Sequence, residues 1–195
     1  MRTYYFTLSL LGLLLFTACE RKKDQPPQTE DFSCIKLFDE QGQGLGLHGS
    51  CTTSNDWGNI PLDATEKEYL NFSDTVSLSG TAPTTITWFG IAPCPVTIGG
   101  SMLVYLGKDV NSDPVKLKLV VVDEELNIVQ KAAVKLGTPA SMALYIDPAL
   151  YQTGHYYRMY YQVSAQGASS LYEGYGNFLV CKGPIQVGNI ETECM

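Results

Sequence analysis

The sequence predicts an all-β fold in which antiparallel strands form two sheets that pack as a sandwich. From residue 62 onward, short runs rich in β-branched and aromatic residues are separated by clusters of Gly, Pro, Asn and Asp. Apolar residues recur at every second position within these runs, which is the spacing of a strand with one buried face. The runs are not linked by amphipathic helices of ordinary length, so the helical crossovers that parallel sheets need are missing.

The first predicted strand is Phe32–Phe38, and the stretch 41–59, rich in Gly, Ser, Thr and Asn, is expected to be a long loop. Leu62–Asn71 is predicted to hold a helical turn. Asp63 is a suitable N-cap there, and Glu66 follows three residues later, as a capping box requires. Further strands are predicted at Thr75–Leu78, Thr84–Ile91, Ser101–Leu106, Val115–Val122, Ile128–Leu136, Ser141–Ile146, His155–Ala165 and Leu171–Lys182.

Alternation is clearest in Val115–Val122, where apolar residues occupy the odd positions and two lysines occupy the opposite face. An acidic turn at 123–127 leads from this strand into Ile128–Leu136, and the pair is predicted to be a hairpin. In His155–Ala165 the odd-numbered residues from Tyr157 to Val163 are again apolar. We therefore expect them to face the core, while the even-numbered residues face outward.

Part of this region resembles immunoglobulin and fibronectin type III domains. Leu150–Met159, with the sequence LYQTGHYYRM, looks like their tyrosine corner, where Leu, Gly and Tyr precede alternating apolar residues. Thr75–Leu78 followed by Ile86–Trp88 is similar to their B strand and to the Trp of their C strand. The Cys expected two residues after the corner Tyr is replaced by Arg158 or Met159. The resemblance implies an Ig-like sandwich, with a jelly roll as the alternative, and neither fold implies a function.

The N-terminal stretch Met1–Cys19 has the features of an export signal in their usual order. Arg2 supplies a positive charge, and the apolar run Leu8–Phe16 is shorter than the ~20 residues that span a bilayer. Two small residues then precede the cysteine, and Phe16-Thr17-Ala18-Cys19 resembles the lipobox of bacterial lipoproteins. The alternatives are an ordinary secretory signal or a buried apolar strand.

The lipobox resemblance implies that residues 1–18 are a signal peptide and that Cys19 becomes the lipidated N-terminus. Residues 19–31 then comprise this cysteine and a polar tether, and residues 32–195 form a single domain with a loop-rich N-terminal extension at 32–61. Lipid on Cys19 is expected to hold the protein in the outer membrane of the cell envelope. The mixed charges of the tether leave open whether the domain faces the periplasm or the cell surface.

Composition argues against several classes of function. A net charge of −7 disfavours nucleic acid as a partner, because phosphates are bound by clustered Lys and Arg. His48 and His155 are the only histidines, and no Gly-x-Ser-x-Gly motif or spaced His or Cys cluster accompanies them. The glycines at 44, 46 and 49 match a dinucleotide fingerprint but precede no helical sequence, so they are interpreted as a turn. We predict no enzymatic activity, no cofactor and no metal.

The chain has six cysteines, which suits an oxidising compartment. With Cys19 assigned to lipid, an odd number remains, so at most two disulfides form within one chain. Spacing does not determine connectivity, and Cys194 is either free or paired with Cys34. The predicted pairs are Cys34 with Cys51 and Cys94 with Cys181.

Aromatic residues provide the candidate binding site, since flat rings stack on sugars and anchor protein interfaces. Tyr156 and Tyr160 share the outward face of one predicted strand with Arg158 between them, and Trp57 lies in a loop. The alternatives are that another layer of chain covers these rings or that they stabilise the sheet through cross-strand pairs.

These observations predict a non-enzymatic, lipid-anchored lipoprotein of the cell envelope that binds a protein partner or supports an envelope assembly. A glycan-binding accessory lipoprotein is the alternative, and a hydrolase is a remote one. A contiguous aromatic groove would favour glycan binding. A pocket holding His48 or His155 beside a Ser and a carboxylate would favour a hydrolase.

Overall fold

A computed structural model describes residues 31–49, 56–79, 85–108, 114–187, 190–192 and 194. The predicted signal peptide, the lipid attachment at Cys19 and the cysteine at 51 lie outside these residues. Within them, no helix is long and apolar enough to cross a membrane. The elements are β1 (Ile35–Phe38), β2 (Gly44–His48), α1 (Ala64–Leu70), β3 (Ile86–Ala92), β4 (Val96–Thr97), β5 (Ser101–Lys108), β6 (Val115–Val122), β7 (Ile128–Leu136), β8 (Ser141–Tyr145), β9 (His155–Ala165), β10 (Ala168–Cys181), β11 (Ile185–Val187) and β12 (Ile190–Thr192).

Two sheets pack face to face, as predicted for an all-β sandwich. One sheet has five strands in the order β4-β10-β9-β6-β7, and the other has three in the order β3-β5-β8. The odd-numbered residues of β6 and β9 point inward, and Val115, Leu117 and Val163 are fully buried. Phe89 of the smaller sheet stacks on Tyr161 of the larger one, with ring centroids 3.8 Å apart. The predicted inward face of both strands is therefore confirmed.

The strand order is that of an Ig-type sandwich. β6, β9 and β10 adjoin one another as strands C, F and G do, while β3, β5 and β8 adjoin as A, B and E do. β7 pairs with β6 in the place of a C′ strand. At the start of β9, the backbone N–H of Gln152 donates a 2.7 Å hydrogen bond to the hydroxyl of Tyr157, which is the bond of a tyrosine corner.

Several predicted elements are confirmed with their bounds, and two are wrong. β6, β7 and β9 begin and end where predicted, and Asp63 and Glu66 form the capping box of α1. Thr75–Leu78 is not a strand, because Asp74 binds lysines of β6 and holds this segment against side chains rather than a strand edge. The Gly-rich stretch 44–48 is not a loop but β2, which pairs with β1.

A second hydrophobic cluster covers the outer face of the five-stranded sheet. Val120, Val122 and Tyr160 point away from the sandwich, yet each is at most 1% exposed. Phe32, Leu62 and Leu70 pack over these outward side chains. We call residues 31–34, 62–70 and 72–78 the covering layer, because they give this sheet a buried face on both sides.

Candidate functional site

The predicted aromatic patch is buried, which corrects its interpretation as a surface site. Tyr160 is 1% exposed, Arg158 5% and Trp57 5%, while Tyr156 is half-buried. Tyr156 and Tyr160 do lie on the outward face of β9, but the covering layer packs on that face. The hydroxyl of Tyr156 lies 3.2 Å from Nε2 of His48. The alternative prediction, that another layer of chain covers these rings, is confirmed.

Arg158 fixes the start of the domain to the middle of the sheet. Its guanidinium lies 4.5 Å from the ring centroids of both Phe32 and Tyr175, and its Nε donates a 2.8 Å hydrogen bond to Asn177. Nδ2 of Asn177 in turn donates to the carbonyl oxygens of Asp31 and Cys34, each at 3.2 Å. Burial lowers the pKa of Arg158. We call this arrangement the Arg158–Asn177 clamp.

Trp57 belongs to the inner core rather than to a binding loop. Its ring stacks near Tyr161 and Phe89, with centroid distances of 6.2 and 6.4 Å. Its backbone N–H donates a 3.0 Å hydrogen bond to the carbonyl of Tyr175. The indole lies over Gly176, where any Cβ would collide with it. Position 176 therefore needs glycine so that a tryptophan from outside the sheet can reach the core.

The predicted Cys94–Cys181 disulfide is wrong, and so are both predictions for Cys194, that it is free or paired with Cys34. Cys181 is bonded to Cys194 with a Cα–Cα distance of 5.9 Å. Thr97 binds the carbonyl oxygen of Cys194 at 3.0 Å, which returns the C-terminal segment to the end of β10. Cys94 is a buried free thiol, and burial raises its pKa to about 12. Cys34 is disulfide-bonded, and its predicted partner lies outside the described residues.

A pocket of about 240 Å³ contains His155 beside three carboxylates, so it bears on the hydrolase alternative. Asp123 accepts hydrogen bonds from the backbone of Glu125 and Asn127 at 3.0 and 2.8 Å, which shows that it closes the turn between β6 and β7. The residues that line the pocket are Asp123, Glu124, Glu125, Val129, Leu150, Gln152, His155 and Tyr157. They include no serine, and no group of metal ligands occurs in the part of the chain that the structure describes.

A second pocket, of about 400 Å³, is lined by Lys116 and Lys118. Both amines bind Asp74, at 3.3 and 3.1 Å, and Lys118 also donates a 2.6 Å hydrogen bond to the carbonyl of Phe72. The hydrogen bond from Lys118 is the main reason that the pKa of Asp74 is lowered. These lysines hold the covering layer on β6.

The exposed aromatic surface lies on the opposite sheet, where it was not predicted. Trp88 is 47% exposed, Leu103 42% and Tyr145 51%, and Tyr105 between them is half-buried. We call these four residues the aromatic stripe. They run diagonally across the outer face of β3, β5 and β8, from the level of Gly107 to that of Ser101 on the central strand. That distance is about 20 Å.

Two glycines let the rings of the stripe lie against the sheet. The indole of Trp88 covers Gly107 on the neighbouring strand, where a Cβ would collide with it. The ring of Tyr105 covers Gly90 in the same way, since a Cβ there would be 3.3 Å from the ring. The two rings meet edge to face, with centroids 5.1 Å apart at 71°. The Tyr105 hydroxyl also donates to the carbonyl of Ile91 at 3.3 Å.

The outward side chains of β5 and β8 along the stripe carry no charge. Asp39 is close enough to add to the effect of burial, which raises the pKa of Tyr105. Its carboxylate is occupied by the backbone N–H groups of Gln41 and Gln43, at 2.9 and 2.8 Å. The outward residues of β5 and β8 along the stripe are Ser101, Leu103, Tyr105, Gly107, Ser141, Ala143 and Tyr145. The surface is thus apolar, with hydroxyl groups at its border.

The sequence did carry a signal for the stripe. In β5 and β8 apolar residues occupy both faces, because Leu103, Tyr105 and Tyr145 alternate with the buried Met102 and Leu144. The Ig resemblance instead matched Trp88 to the Trp of the C strand. That was wrong, since β3 takes the place of strand A.

Comparison with known proteins adds nothing to these observations. No protein-family model matches the chain, and no curated protein or solved structure matches it either.

Proposed function

We propose that the protein is a non-enzymatic lipoprotein of the bacterial cell envelope, held in the outer membrane by lipid on Cys19, and that its sandwich binds a ligand through the aromatic stripe. The anchor is supported by the order of charge, apolar run, small residues and cysteine in Met1–Cys19. Binding is supported by one observation above all. Three large apolar side chains in the stripe are 42% to 51% exposed, and apolar patches of this kind on monomers are often functional.

The point where the chain enters at Asp31 and the aromatic stripe lie on opposite sides of the domain. The chain enters at Asp31, which the Arg158–Asn177 clamp holds on the outer face of the five-stranded sheet. The stripe lies on the outer face of the other sheet, and the outer faces of two packed sheets point away from each other. A ligand on the stripe therefore does not contact the surface on which Asp31 lies.

The same geometry supports a binding role over catalysis. His155 shares its pocket with carboxylates, but the pocket residues do not include a serine for it to activate. Asp123 and Glu124 accept backbone hydrogen bonds there. Their oxygens are therefore occupied in maintaining a turn and the start of β9.

Lipid attachment is tested by labelling cells with radioactive palmitate. We expect the wild-type chain to carry label and to sediment with membranes, whereas Cys19→Ala carries none and is released when the envelope is opened. Cys94→Ala is the matched control, because it removes a buried free thiol and leaves the label in place. An unlabelled wild-type chain that retains Met1, measured by intact mass, would show that this part of the proposal is wrong.

Binding through the stripe is tested by placing a photo-crosslinking amino acid at Leu103 in the intact envelope. We expect a discrete adduct from this position. The control position is Ile128 on β7, which is 51% exposed and lies on the other sheet. The absence of any adduct at Leu103, or the same adducts at both positions, would contradict a binding role for the stripe.

A further inference from the structure

We infer that the aromatic stripe binds an uncharged polysaccharide chain, whose sugar rings lie on Trp88, Tyr105 and Tyr145. This inference rests on the proposed function, because it names the ligand of the same surface. Four properties of the stripe support it: its area, its charge, the polar atoms at its border and the fixed orientation of its rings.

The exposed side chains of the stripe are too few to form a protein interface by themselves, and they suit a narrow polymer. A large aromatic side chain buries roughly 150 to 250 Å² when fully covered. Side chains that are 42% to 51% exposed therefore offer on the order of 300 Å² together. A stable protein interface, including a dimer of this chain, needs about 800 Å² from each partner. The stripe is nevertheless about 20 Å long, so an extended chain can contact all of it.

The charge around the stripe favours a neutral ligand. The whole chain has a net charge of −7, so a polyanion is repelled on approach. Asp39, whose charge reaches Tyr105, already accepts hydrogen bonds from two backbone N–H groups. The outward side chains of β5 and β8 along the stripe are uncharged. A ligand without charge avoids the large desolvation cost that an ion has at an apolar surface.

Sugar rings match this combination of apolar and polar groups. The C–H face of a sugar is apolar and stacks on a flat ring, while its hydroxyl groups point outward at the edges. Trp88 and Tyr145 each combine an apolar body with a polar tip. The hydroxyl groups of Ser101 and Ser141 lie on the same face, opposite Tyr145 and Tyr105 respectively. The border of the stripe thus offers both donors and acceptors.

The rings are ordered before any ligand arrives. Trp88 and Tyr105 are held edge to face, each over a glycine of the neighbouring strand, and Tyr105 is also tied to the carbonyl of Ile91. Binding therefore immobilises few side-chain torsions, which lowers its entropic cost. The ring planes of Trp88 and Tyr105 are 71° apart, so a sugar that stacks on one of these rings meets the edge of the other.

The test is affinity electrophoresis of the chain from residue 19 onward with Cys19→Ser, which retains the compact unit Asp31–Met195. Native gels contain β-glucan, xyloglucan, galactomannan or dextran as neutral probes and polygalacturonate as an anionic probe. We expect at least one neutral polymer to retard migration and polygalacturonate to have no effect. Trp88→Ala with Tyr145→Ala should raise the dissociation constant at least tenfold. Tyr145→Ala alone, at a half-exposed position, should weaken binding without changing the melting temperature.

The matched control is Ile128→Ala, which removes an equally exposed apolar side chain and should leave retardation unchanged. The inference is overturned if no neutral polymer retards the wild-type chain, or if the stripe variants bind as well as the wild type. It is also overturned if light scattering shows a dimer that these variants abolish. An envelope adduct at Leu103 without polysaccharide binding would contradict this ligand and leave the proposed function standing. If neither the adduct at Leu103 nor polysaccharide binding is observed, both the proposed function and the proposed ligand are contradicted.

Discussion

The outer faces of the two sheets carry similar side chains and end in opposite states. On the five-stranded sheet, Tyr160 and Val122 point outward but are at most 1% exposed, because the covering layer packs on them. On the three-stranded sheet, Trp88 and Tyr145 point outward and are 47% and 51% exposed. Alternation along a strand thus decides which way a side chain points. Whether the side chain meets water is decided by distant parts of the chain.

The two tryptophans Trp57 and Trp88 show the same difference between the two sheets. Trp57 and Trp88 each lie over a glycine of a neighbouring strand, Gly176 and Gly107 respectively. Trp57 is 5% exposed and Trp88 is 47% exposed. The same local arrangement therefore completes the core on one side of the molecule and presents a surface on the other. This difference can be measured.

The largest expected effect is that of Trp57→Ala. Removing a buried Trp that stacks near Phe89 and Tyr161 should lower the free energy of unfolding by about 4 kcal/mol. Trp88→Ala should lower it by only about 1 kcal/mol, because much of that ring is already in water. Urea denaturation followed by circular dichroism measures both. Equal losses of unfolding free energy in Trp57→Ala and Trp88→Ala would contradict the assignment of Trp57 to the core and Trp88 to the surface.

A conservative change at position 57 sharpens this prediction. Among the described residues, Nε1 of Trp57 is a buried donor without a hydrogen-bond partner. Trp57→Phe keeps most of the ring and removes this group, whose burial is itself unfavourable. We expect it to cost no more than about 2 kcal/mol, well below the loss in Trp57→Ala.

Arg158→Ala is expected to have the next largest effect. The change opens a space between Phe32 and Tyr175 and leaves the side-chain oxygen of Asn177 without the donor from Arg158. We expect a loss of about 3 kcal/mol, together with faster hydrogen exchange in residues 31–38. Lys182→Ala, at an exposed basic residue, is the control and should change stability by less than about 0.5 kcal/mol. Unchanged exchange at 31–38 would contradict the role of the clamp.

Substituting the two glycines tests the comparison without removing a ring. Gly176→Ala places a methyl group against an indole that is packed on all sides, and we expect it to cost about 2 kcal/mol. Gly107→Ala should cost about 0.5 kcal/mol, because the indole of Trp88 can swing into water. Gly107→Ala should still weaken polysaccharide binding, because the indole of Trp88 no longer lies flat on the sheet. Similar stability losses for both variants would show that Trp88 is more constrained than its exposure indicates.

Acid should loosen the covering layer before it affects the stripe. The pKa of Asp74 is lowered chiefly by Lys118. Burial alone would raise the pKa of Glu173, but the hydrogen bonds from Lys67 and from the Leu62 amide leave it below its usual value. Both carboxyls bind protons more tightly in the unfolded chain, so their contribution is complete above about pH 5 and decreases as the pH falls below about 4. Glu66, whose pKa is raised by burial, opposes this change.

The measurement is the melting temperature as a function of pH, with and without Asp74→Asn. The wild type should lose stability between pH 5 and pH 3, and the variant should lose less over the same range because one of the two linked carboxyls is absent. Glu40→Gln, at an exposed position on the β1–β2 turn, should leave the pH profile unchanged. An identical profile for Asp74→Asn would contradict the linkage.

Features set by neighbouring residues could be predicted from the sequence. The strands β6, β7 and β9, the capping box at Asp63 and the tyrosine corner depend on spacing within about ten residues, and all are confirmed. The burial of Arg158 and Tyr160 could not be predicted in this way. It depends on Phe32 and Leu70, which are far away along the chain.

The errors have the same physical origin. Thr75–Leu78 has the composition of a strand, but lysines of β6 bind the preceding Asp74. Cys181 pairs with Cys194, close to it along the chain, because the C-terminal segment returns to Thr97. Neither contact leaves a pattern in the local sequence. The stripe is likewise exposed because the covering layer packs on the other sheet.

The clamp at the start of the domain also determines how the molecule bears a mechanical load. Force applied to the chain at Asp31 acts on a carbonyl oxygen that Asn177 of β10 holds, while Arg158 of β9 contacts Phe32. It is therefore borne first by these two contacts to interior strands of the five-stranded sheet. Both contacts have to break before the force reaches β1.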